Sequence, residues 1–583
     1  MQSPIFGFNQ AKPAIVEEVV ARVCAAVRDP LLALNEAAFL EVRRQGAGGR
    51  DDVVPLGEWR SLAHSLGRMS EAESRAKLGD LARRYARDVA GNFDPRVYRF
   101  ASRAVAPLIG MLMSPMQTLR HFGGAFDLRA LDGRVVIEGP VGHVASLAEK
   151  GTVVFVPTHL SNLDSVVFGF ALERAGLPPA TYGAGKNLFT NPLLSFFMHN
   201  LGAYRVDRRI RHGLYKDVLK TYSCVVLERG YHSLFFPGGT RSRSGAVERK
   251  LKLGLLGTGV EAMARTAASA AKAAGSGGER ARRDVFFVPA TINYLLTLEA
   301  ETLVDDFLQE EGKHRYIIED DESSRVGRIA SFLGKLLGLD AACVVRFGRP
   351  LDCFGNEVDE DGVSHDGHGR AIDRLSYLTD AWGSVGPDAA RDAQYTRELA
   401  ETIVSSLQRE TVAMATHLVA ACAFAELCER TQAPASRDVF ALLRRQDDVV
   451  VSRAELADRV ERLRDRAREL ESRRRLVLRP HLARAAGREI LDEALRAFSG
   501  YHTSPVLEPR GADLVLVDTR LIFYYQNRLA AHGLAADLVG EGQRDPNLGP
   551  HAFPATLANP ASPAHDFTGN PARFALGSRA SSL

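Results

Sequence analysis

The feature that most constrains this chain is an alternation of strand-like and helix-like segments between Leu131 and Cys353. Short β-rich runs begin at Arg134 (RVVIEG), Thr152 (TVVFVPT), Ser233 (SLFF), Val285 (VFFVP) and Cys343 (CVVRFG). Helical stretches separate most of these runs, which is typical of an α/β domain with a largely parallel sheet. Continuous apolar strands such as VVFV are typical of a sheet covered on both faces. We therefore predict an α/β fold, with a mostly parallel central sheet flanked by helices.

The sequence on both sides of this domain has a helical pattern. Upstream, one helical face is formed by Val16, Val19, Val20, Val23 and Val27, and an apolar segment follows from Val105 to Met116. Downstream, Ser452 and Glu455 have the spacing of a helix N-cap. The predicted order is a helical region (1–130), the α/β domain (131–355), an acidic loop (356–385), a second helical region (386–545) and a mobile tail (546–583).

The overall composition indicates what kind of protein this is, but it does not identify a binding partner. With 583 residues, 45% hydrophobic and 25% charged, the chain is globular in character and long enough for several cores. A net charge of +3 gives no reason to expect nucleic-acid binding. The six cysteines include no C-x-x-C pair, which indicates buried thiols in a reducing compartment.

No segment has the pattern of a signal peptide or a spanning helix. The start lacks a basic segment followed by an apolar run. No stretch reaches the roughly 18 uncharged apolar residues that a spanning helix needs. The two most apolar runs, Val285 to Leu296 and Thr411 to Ala425, are short enough to be buried core. If the protein meets a membrane, we expect it to lie on the surface.

The first candidate site is the run HLSNLD, from His159 to Asp164, directly after a predicted strand. On a straight helix a five-residue offset leaves two side chains about 140° apart, so these two can pair only across a turn. Ser161 or Asn162 can provide that turn by capping a helix. A neutral imidazole oriented by a carboxylate can take a proton from a hydroxyl. Taken alone, the spacing favours a solvated loop histidine and a helix-capping aspartate.

The second candidate is GAYRVDR, which runs from Gly202 to Arg208 and is followed by two more arginines. Fixed positive charge after a strand-like run suits a phosphate. An ordinary charged surface would have the same pattern.

The third candidate is FFPGGTRSRSG, in which a strand leads into a Gly-rich turn that contains Arg241 and Arg243. Gly238 and Gly239 would let backbone N–H groups approach an anion, and the arginines would add a bidentate grip. The clustering of glycine, hydroxyl and guanidinium groups favours an anion site over a plain turn.

Two further segments have open interpretations. VPATINY, from Val288, is most simply the end of a buried strand. The apolar segment from Ala184 to Met198 can rest on a bilayer, line a channel for an acyl chain, or belong to the core.

Taken in order, these segments resemble the glycerolipid acyltransferases, most closely the glycerol-3-phosphate acyltransferase branch. HLSNLD is similar to the family's His-x-x-x-x-Asp block, AGKNLF…LGAYRVDR to its second block, FPGGTRSRSG…KLG to its third and VPATINY to its fourth. RFGRPLD resembles the strand that follows these blocks, and FYYQNRL a segment of the larger enzymes. Each motif is common alone, whereas four in this order are not. The resemblance covers about residues 150–350.

The resemblance implies a role for each matching residue. His159 would be the general base and Asp164 the carboxylate that orients it. The acceptor phosphate would be bound by Lys186, Arg208, Arg241, Arg243 and Lys252, with a loop shaped by Gly239, Thr240 and Ser242. Pro289 and its neighbours would line the acyl side.

Two positions depart from the family pattern. Gly238 stands where the third block usually has a glutamate that is associated with the acceptor. Asp207 stands where the glycerol-3-phosphate branch often has arginine, which lowers the local positive charge. Both departures bear on the identity of the acceptor.

We therefore expect transfer of a fatty acyl group from acyl-CoA or an acyl carrier protein thioester to the hydroxyl of glycerol 3-phosphate, in phospholipid synthesis. The alternatives are 1-acylglycerol 3-phosphate or dihydroxyacetone phosphate as acceptor, or a catalytically weak lipid-binding scaffold. Chain length and the C-terminal helical region favour glycerol 3-phosphate.

No cofactor or metal is expected beyond the acyl donor as co-substrate. His365 and His368 have poor ligand spacing and indicate a solvated loop. Basic residues at 279–283 suit either acidic acyl donor. The expected location is peripheral, on the cytoplasmic side of the cell membrane.

Overall fold

The structure, a computed structural model, describes residues 3–46, 52–100, 135–186, 192–275, 283–311, 343–430, 443, 449–499 and 501–534. Its N-terminal helices are α1 (Phe8–Ala26), α2 (Pro30–Gly46), α3 (Leu56–Ser65) and α4 (Glu71–Val89). Helix α1 buries Val16, Val19, Val20 and Val23, so the predicted helical face is confirmed. The apolar segment from Val105 to Met116 lies outside the described residues.

The central sheet contains β1 (Val135–Glu138), β2 (Thr152–Pro157), β3 (Thr181–Gly185), β4 (Ala203–Val206), β5 (Ser233–Leu234), β6 (Val285–Tyr294) and β7 (Cys343–Phe347). Their order is β1-β7-β6-β2-β5-β3-β4. Strands β6, β2, β5, β3 and β4 are mutually parallel, whereas β7 is antiparallel to β6 and carries β1 parallel to itself. The predicted α/β fold with a mostly parallel sheet is confirmed.

Helices connect and cover these strands. They are α5 (Val141–Lys150), α6 (Asp164–Arg174), α7 (Pro192–Asn200), α8 (Gly213–Glu228), α9 (Leu253–Gly275) and α10 (Ala300–Glu311). Helix α8 packs against α1 and α4, and its Tyr215 and Tyr222 lie in the same core as Val19 of α1. The N-terminal helices are therefore built onto the β4 side of the α/β domain.

The stretch 356–385, expected to be an acidic loop, instead carries three short antiparallel strands. These are β8 (Glu357–Val358), β9 (Ser364–His365) and β10 (Ala371–Ile372). The Asp359 carboxylate accepts the N–H groups of Asp361 and Val363, and Gly362 has φ +85°, so a tight turn joins β8 to β9. The acidic residues that suggested a loop are the ones that close this turn.

The C-terminal helices are α11 (Ala389–Arg409), α12 (Ala415–Arg430), α13 (Arg453–Ser472), α14 (Pro480–Arg484), α15 (Gly487–Phe498) and α16 (Thr519–Gln526). Short strands lie among them: β11 (Val412–Ala413), β12 (Val449–Ser452), β13 (Val477–Leu478), β14 (Leu507–Arg510) and β15 (Asp513–Leu516).

Helix α12 is buried all round from Ala415 to Cys428, which confirms that this apolar run is core. The predicted cap at Ser452 is also confirmed, because its side chain accepts the N–H of Glu455 at the start of α13. The expected tail, 546–583, lies outside the described residues. Within the ranges given above, the helices are all too short or too polar to cross a bilayer.

Candidate active site

The candidate residues meet at one edge of the sheet because parallel strands end together. His159 follows β2, Lys186 follows β3, Arg208 follows β4, and the Gly-rich turn with Arg241 follows β5. These four strands are adjacent and parallel, so their carboxyl ends face the same side. In open α/β sheets this edge is where ligands bind.

His159 and Asp164 form a hydrogen-bonded pair across the turn between β2 and α6. The distance from His159 Nδ1 to Asp164 Oδ2 is 2.8 Å. Because an ionised carboxylate can only accept, the Nδ1–H donates, and Nε2 keeps its lone pair. Helix α6 begins at Asp164 itself, so the turn that the five-residue spacing requires is present.

The Asp164 carboxylate is held by several donors. Besides the imidazole, Oδ2 accepts the N–H groups of Leu160 at 2.6 Å and Ser161 at 2.9 Å. Tyr294, at the end of β6, donates its hydroxyl to Oδ1 at 2.7 Å. The Asp164 side chain is fully buried, so these bonds replace the water that an ionised carboxylate would otherwise need. The carboxylate that orients His159 is therefore held in place by three further donors.

The imidazole of His159 is enclosed but not sealed. Its side chain keeps 15% of its surface exposed, and its ring stacks on Phe236 with centroids 4.0 Å apart. Burial lowers the pKa of His159, and the charges of Arg241 and Arg208 lower it further, while the bond to Asp164 opposes the shift. The histidine is thus neutral at pH 7, which is the form that can accept a proton.

The Gly-rich turn after β5 is attached directly to His159. The Ser242 N–H donates to the His159 carbonyl at 2.8 Å, and the Ser242 hydroxyl donates to the Ala246 carbonyl at 2.7 Å. Gly239 has φ +79°, a conformation that favours glycine, and a Cβ there would lie 2.9 Å from Cγ of Lys252. Ser242 and Gly239 thus shape the turn, whereas Thr240 and Lys252 are exposed.

Arg208 and Arg241 bring positive charge next to His159. Arg208 is exposed at the rim of the site, and partial desolvation together with the charge of Arg241 lowers the pKa of its guanidinium. The charges of both guanidinium groups oppose protonation of the His159 imidazole. Arg243, two residues further along the turn, is half-buried. The arrangement suits a doubly charged anion beside a neutral base.

Arg241 is oriented by a buried acid that the sequence did not reveal. Its Nη1 lies 3.4 Å from Oε1 of Glu299, whose side chain is only 2% exposed. The same Glu299 oxygen accepts the N–H of Asn162 at 3.0 Å, within the HLSNLD turn. Burial raises the pKa of Glu299 to about 7. Glu299 therefore links the guanidinium to the turn that carries the base.

Lys186 contacts the acid that departs from the family pattern. Its Nζ lies 3.6 Å from Oδ2 of Asp207, and Arg209 donates to both oxygens of the same carboxylate. Burial alone would raise the pKa of Asp207, but the bonds from Arg209 and the charge of Lys186 lower it below its ordinary value. Asp207 thus binds Lys186 and Arg209, which separates Arg209 from the pair formed by Arg208 and Arg241.

Known proteins share the segment that builds this site. Residues 141–292 match the family model described as Acyltransferase. These residues are therefore similar to an acyltransferase domain, and we refer to them by that name below. The resemblance drawn from the four motifs is therefore confirmed over this part of the chain.

Curated relatives of this chain include proteins named glycerol-3-phosphate acyltransferase. The chain is 25% identical to the protein of that name from Pseudomonas paraeruginosa over 300 residues, which are 51% of this chain and 31% of the relative. It is 26% identical to the Pseudomonas fluorescens protein over 209 residues, which are 36% and 22% of the two chains. The matches thus span at most about a third of these relatives' own lengths.

One solved structure is also similar, the 1-acyl-sn-glycerophosphate acyltransferase from Thermotoga maritima. The identity is 13%, the match covers 53% of this chain and 92% of that chain, and the TM-score is 0.23.

The fourth motif of the acyltransferase domain lies inside the sheet. Pro289 is buried in β6, paired with Val156 of β2, and its carbonyl accepts the N–H of Gly348 at 2.7 Å. Tyr294, at the other end of the motif, is the residue that contacts Asp164. The apolar segment from 184 to 198 is described only in part, and residues 279–282 of the basic surface lie outside the described ranges.

The C-terminal region reaches into the acyltransferase domain through FYYQNRL. Asn527 donates its side-chain amide to the Ser244 carbonyl at 2.9 Å, within the Gly-rich turn. Arg528, which is 2% exposed, donates to the Ile292 carbonyl at 3.0 Å and to Asn293 Oδ1 at 3.1 Å. The sequence resemblance could point to this segment, but it could not show that the segment hydrogen-bonds to the Gly-rich turn.

No cluster of three or more side chains suited to holding a metal ion occurs within the described ranges. His365 instead binds the Asp359 carboxylate through Nε2 at 2.8 Å, on the exposed β8–β9 hairpin.

Proposed function

We propose that this protein transfers a fatty acyl group from a thioester to the hydroxyl of glycerol 3-phosphate. The observation that carries the proposal is the His159–Asp164 pair at the same sheet edge as Arg208 and Arg241. A neutral, oriented imidazole beside two guanidinium groups suits an acceptor that has a hydroxyl and a phosphate on one small molecule.

The proposed chemistry needs one base. Nε2 of His159 takes the proton of the acceptor hydroxyl while that oxygen attacks the thioester carbonyl carbon. The tetrahedral intermediate collapses, the carbon–sulfur bond breaks, and the imidazolium returns its proton to the departing thiolate. Asp164 stabilises the imidazolium while it exists. The products are the acyl ester and the free thiol, and no group is oxidised or reduced.

The arginines contribute by positioning. Charge-assisted bonds from Arg208 and Arg241 to the phosphate would hold the hydroxyl beside Nε2 and make its attack effectively intramolecular. The partnership of Arg241 with Glu299 sets the guanidinium in place before the acceptor arrives.

The curated relatives support this acceptor. Their name states glycerol-3-phosphate acyltransferase, and residues 141–292 of this chain match an acyltransferase family model. Acyl-CoA and acyl carrier protein are both proposed as donors, within phospholipid synthesis and without a further cofactor. We propose peripheral attachment to the cytoplasmic side of the membrane, where the lipid product would be released.

An acceptor panel tests the proposal. The purified chain is given glycerol 3-phosphate, 1-acylglycerol 3-phosphate or dihydroxyacetone phosphate, each with palmitoyl-CoA or palmitoyl carrier protein, and free thiol is measured. Thiol release that depends on glycerol 3-phosphate, with 1-acylglycerol 3-phosphate as product, is the expected result. Preference for another acceptor would refute the stated substrate, and no release with any pair would favour a lipid-binding scaffold.

A further inference from the structure

The space beside Gly238 is occupied by another residue of the same turn. A Cβ built on Gly238 would lie 2.9 Å from Cγ and 3.4 Å from Oε1 of Glu248. A contact of 2.9 Å is too short for two carbon atoms, so a side chain at 238 and the present position of Glu248 exclude each other. The absence of a side chain at one position thus admits the carboxylate from the other.

The Glu248 carboxylate is directed at the backbone of His159. Oε1 accepts the His159 N–H at 2.8 Å, and the Glu248 side chain is almost fully buried. From the other side, the Ser242 N–H donates to the His159 carbonyl. Both peptide groups of the base are therefore bound by one segment, residues 238–248.

The charges around Glu248 allow it to ionise near neutral pH. Burial raises the pKa of Glu248 to about 7, the bond from the His159 N–H and the charge of Arg528 oppose that rise, and Asp164 adds to it. Arg528 is itself buried, and its charge comes from the C-terminal region. An ionised carboxylate accepts an N–H more strongly than a neutral one.

We propose that Glu248 is a positioning residue for His159. The lack of a side chain at Gly238 leaves the space through which the Glu248 carboxylate reaches the His159 N–H. This inference rests on the proposed function for its catalytic consequence, but its geometry can be tested without any turnover.

The first test follows the His159 backbone amide by NMR in protein labelled with ¹⁵N-histidine. In the wild type we expect this resonance to titrate with a midpoint near the Glu248 pKa of about 7. Glu248→Gln should abolish that titration, whereas the matched control Glu299→Gln, which changes the acid bound to the neighbouring Asn162 N–H, should retain it. An unchanged titration in Glu248→Gln would overturn the proposal even in a protein that lacks acyl-transfer activity.

The second test is a double-mutant cycle on the thermal unfolding midpoint. Gly238→Glu should lower the midpoint because its side chain meets Glu248, and adding Glu248→Ala should restore part of the loss. Losses that simply add would show that the two positions do not share one space.

The third test separates positioning from acceptor binding. Glu248→Ala should lower kcat, by up to about 10²-fold for a misplaced base, with little change in KM for glycerol 3-phosphate. Glu248→Gln keeps an acceptor for the His159 N–H and should recover most of kcat. A rise in KM alone, or no recovery with glutamine, would contradict a positioning role. A wild type without transfer activity would refute the proposed function and leave the first two tests to decide this inference.

Discussion

Two histidine–aspartate pairs in this protein have the same separation and opposite surroundings. His159 Nδ1 lies 2.8 Å from Asp164 Oδ2, and His365 Nε2 lies 2.8 Å from Asp359 Oδ2. Asp164 is fully buried, whereas the Asp359 side chain is 41% exposed on a hairpin. Burial lowers the pKa of His159, while the bond to Asp359 raises the pKa of His365.

The difference shows that a histidine–aspartate hydrogen bond alone does not make the histidine a general base, because the surroundings of the pair set the pKa of the imidazole. In an exposed pair the carboxylate raises the pKa of the imidazole, because water still solvates the charged form. A buried imidazole beside two guanidinium groups stays neutral and can accept a proton during the reaction. Each prediction below tests a consequence of this difference between the two pairs.

The largest effect is expected from removing the imidazole. His159→Ala should lower kcat about 10²–10⁴-fold because the general base is lost. The matched control His365→Ala should change kcat less than about threefold, as surface substitutions usually do. Thiol release with glycerol 3-phosphate measures both. Equal losses in the two variants would mean that the hairpin pair also serves the reaction.

The next largest effect should come from the guanidinium groups whose charges act on His159. Arg241→Ala should raise KM for glycerol 3-phosphate about 10–100-fold, since a charge-assisted bond contributes about 1.5–3 kcal/mol. Arg209→Ala removes the same charge from a residue bound to Asp207 and should have a much smaller effect. Initial rates over a range of acceptor concentrations distinguish them, and matching KM values would argue against Arg241 at the phosphate.

A smaller effect is expected at the carboxylate of the buried pair. Tyr294→Phe removes the hydroxyl bound to Asp164 Oδ1 and should cost about 1–3 kcal/mol of unfolding free energy. We expect kcat to fall a fewfold while KM stays near the wild-type value. Denaturant unfolding and steady-state kinetics on one preparation provide both numbers. A variant as stable as the wild type would show that Asp164 does not need this donor.

The smallest expected change is in pKa alone. NMR titration of the imidazoles should give His159 a pKa below 6.5 and His365 a pKa above it. Because its folded pKa is raised, the His365–Asp359 pair stabilises the fold below the unfolded pKa of about 6.5, and this contribution is lost as pH rises through the folded pKa. The pKa shift of His159 has the opposite direction, because burial lowers its folded pKa. Its burial therefore destabilises the fold increasingly as pH falls below the unfolded pKa of about 6.5. Asp359→Asn should lower only the His365 pKa, and a change at His159 would contradict their independence.

Much of the fold was accessible from apolar patterns. The runs at Thr152, Val285 and Cys343 are continuous and β-branched, and each is a strand of the central sheet. Strand β3, TYGAG, was not predicted, because its two glycines leave no apolar run to detect. The acidic stretch after Cys353 was wrongly assigned to a loop, since strands of two residues carry almost no periodicity.

The site was accessible only where a motif pointed to it. His159, Asp164, Arg208 and Arg241 could be named because their segments occur in a recognisable order. Glu248 and Glu299 could not, because each is an ordinary glutamate in sequence and gains its raised pKa only through burial. The roles assigned to all of these residues stay predictions until the kinetic tests are made.

By itself the sequence determined the strands with continuous apolar runs, such as those at Thr152, Val285 and Cys343, and the residue types that follow them, because apolar runs are local properties of the chain. Only the tertiary structure decided that His159 is neutral while His365 favours its proton. That distinction depends on desolvation and on the charges of Arg208 and Arg241, which lie 49 and 82 residues away along the chain. Electrostatic environment is a property of packing, and no local pattern encodes it.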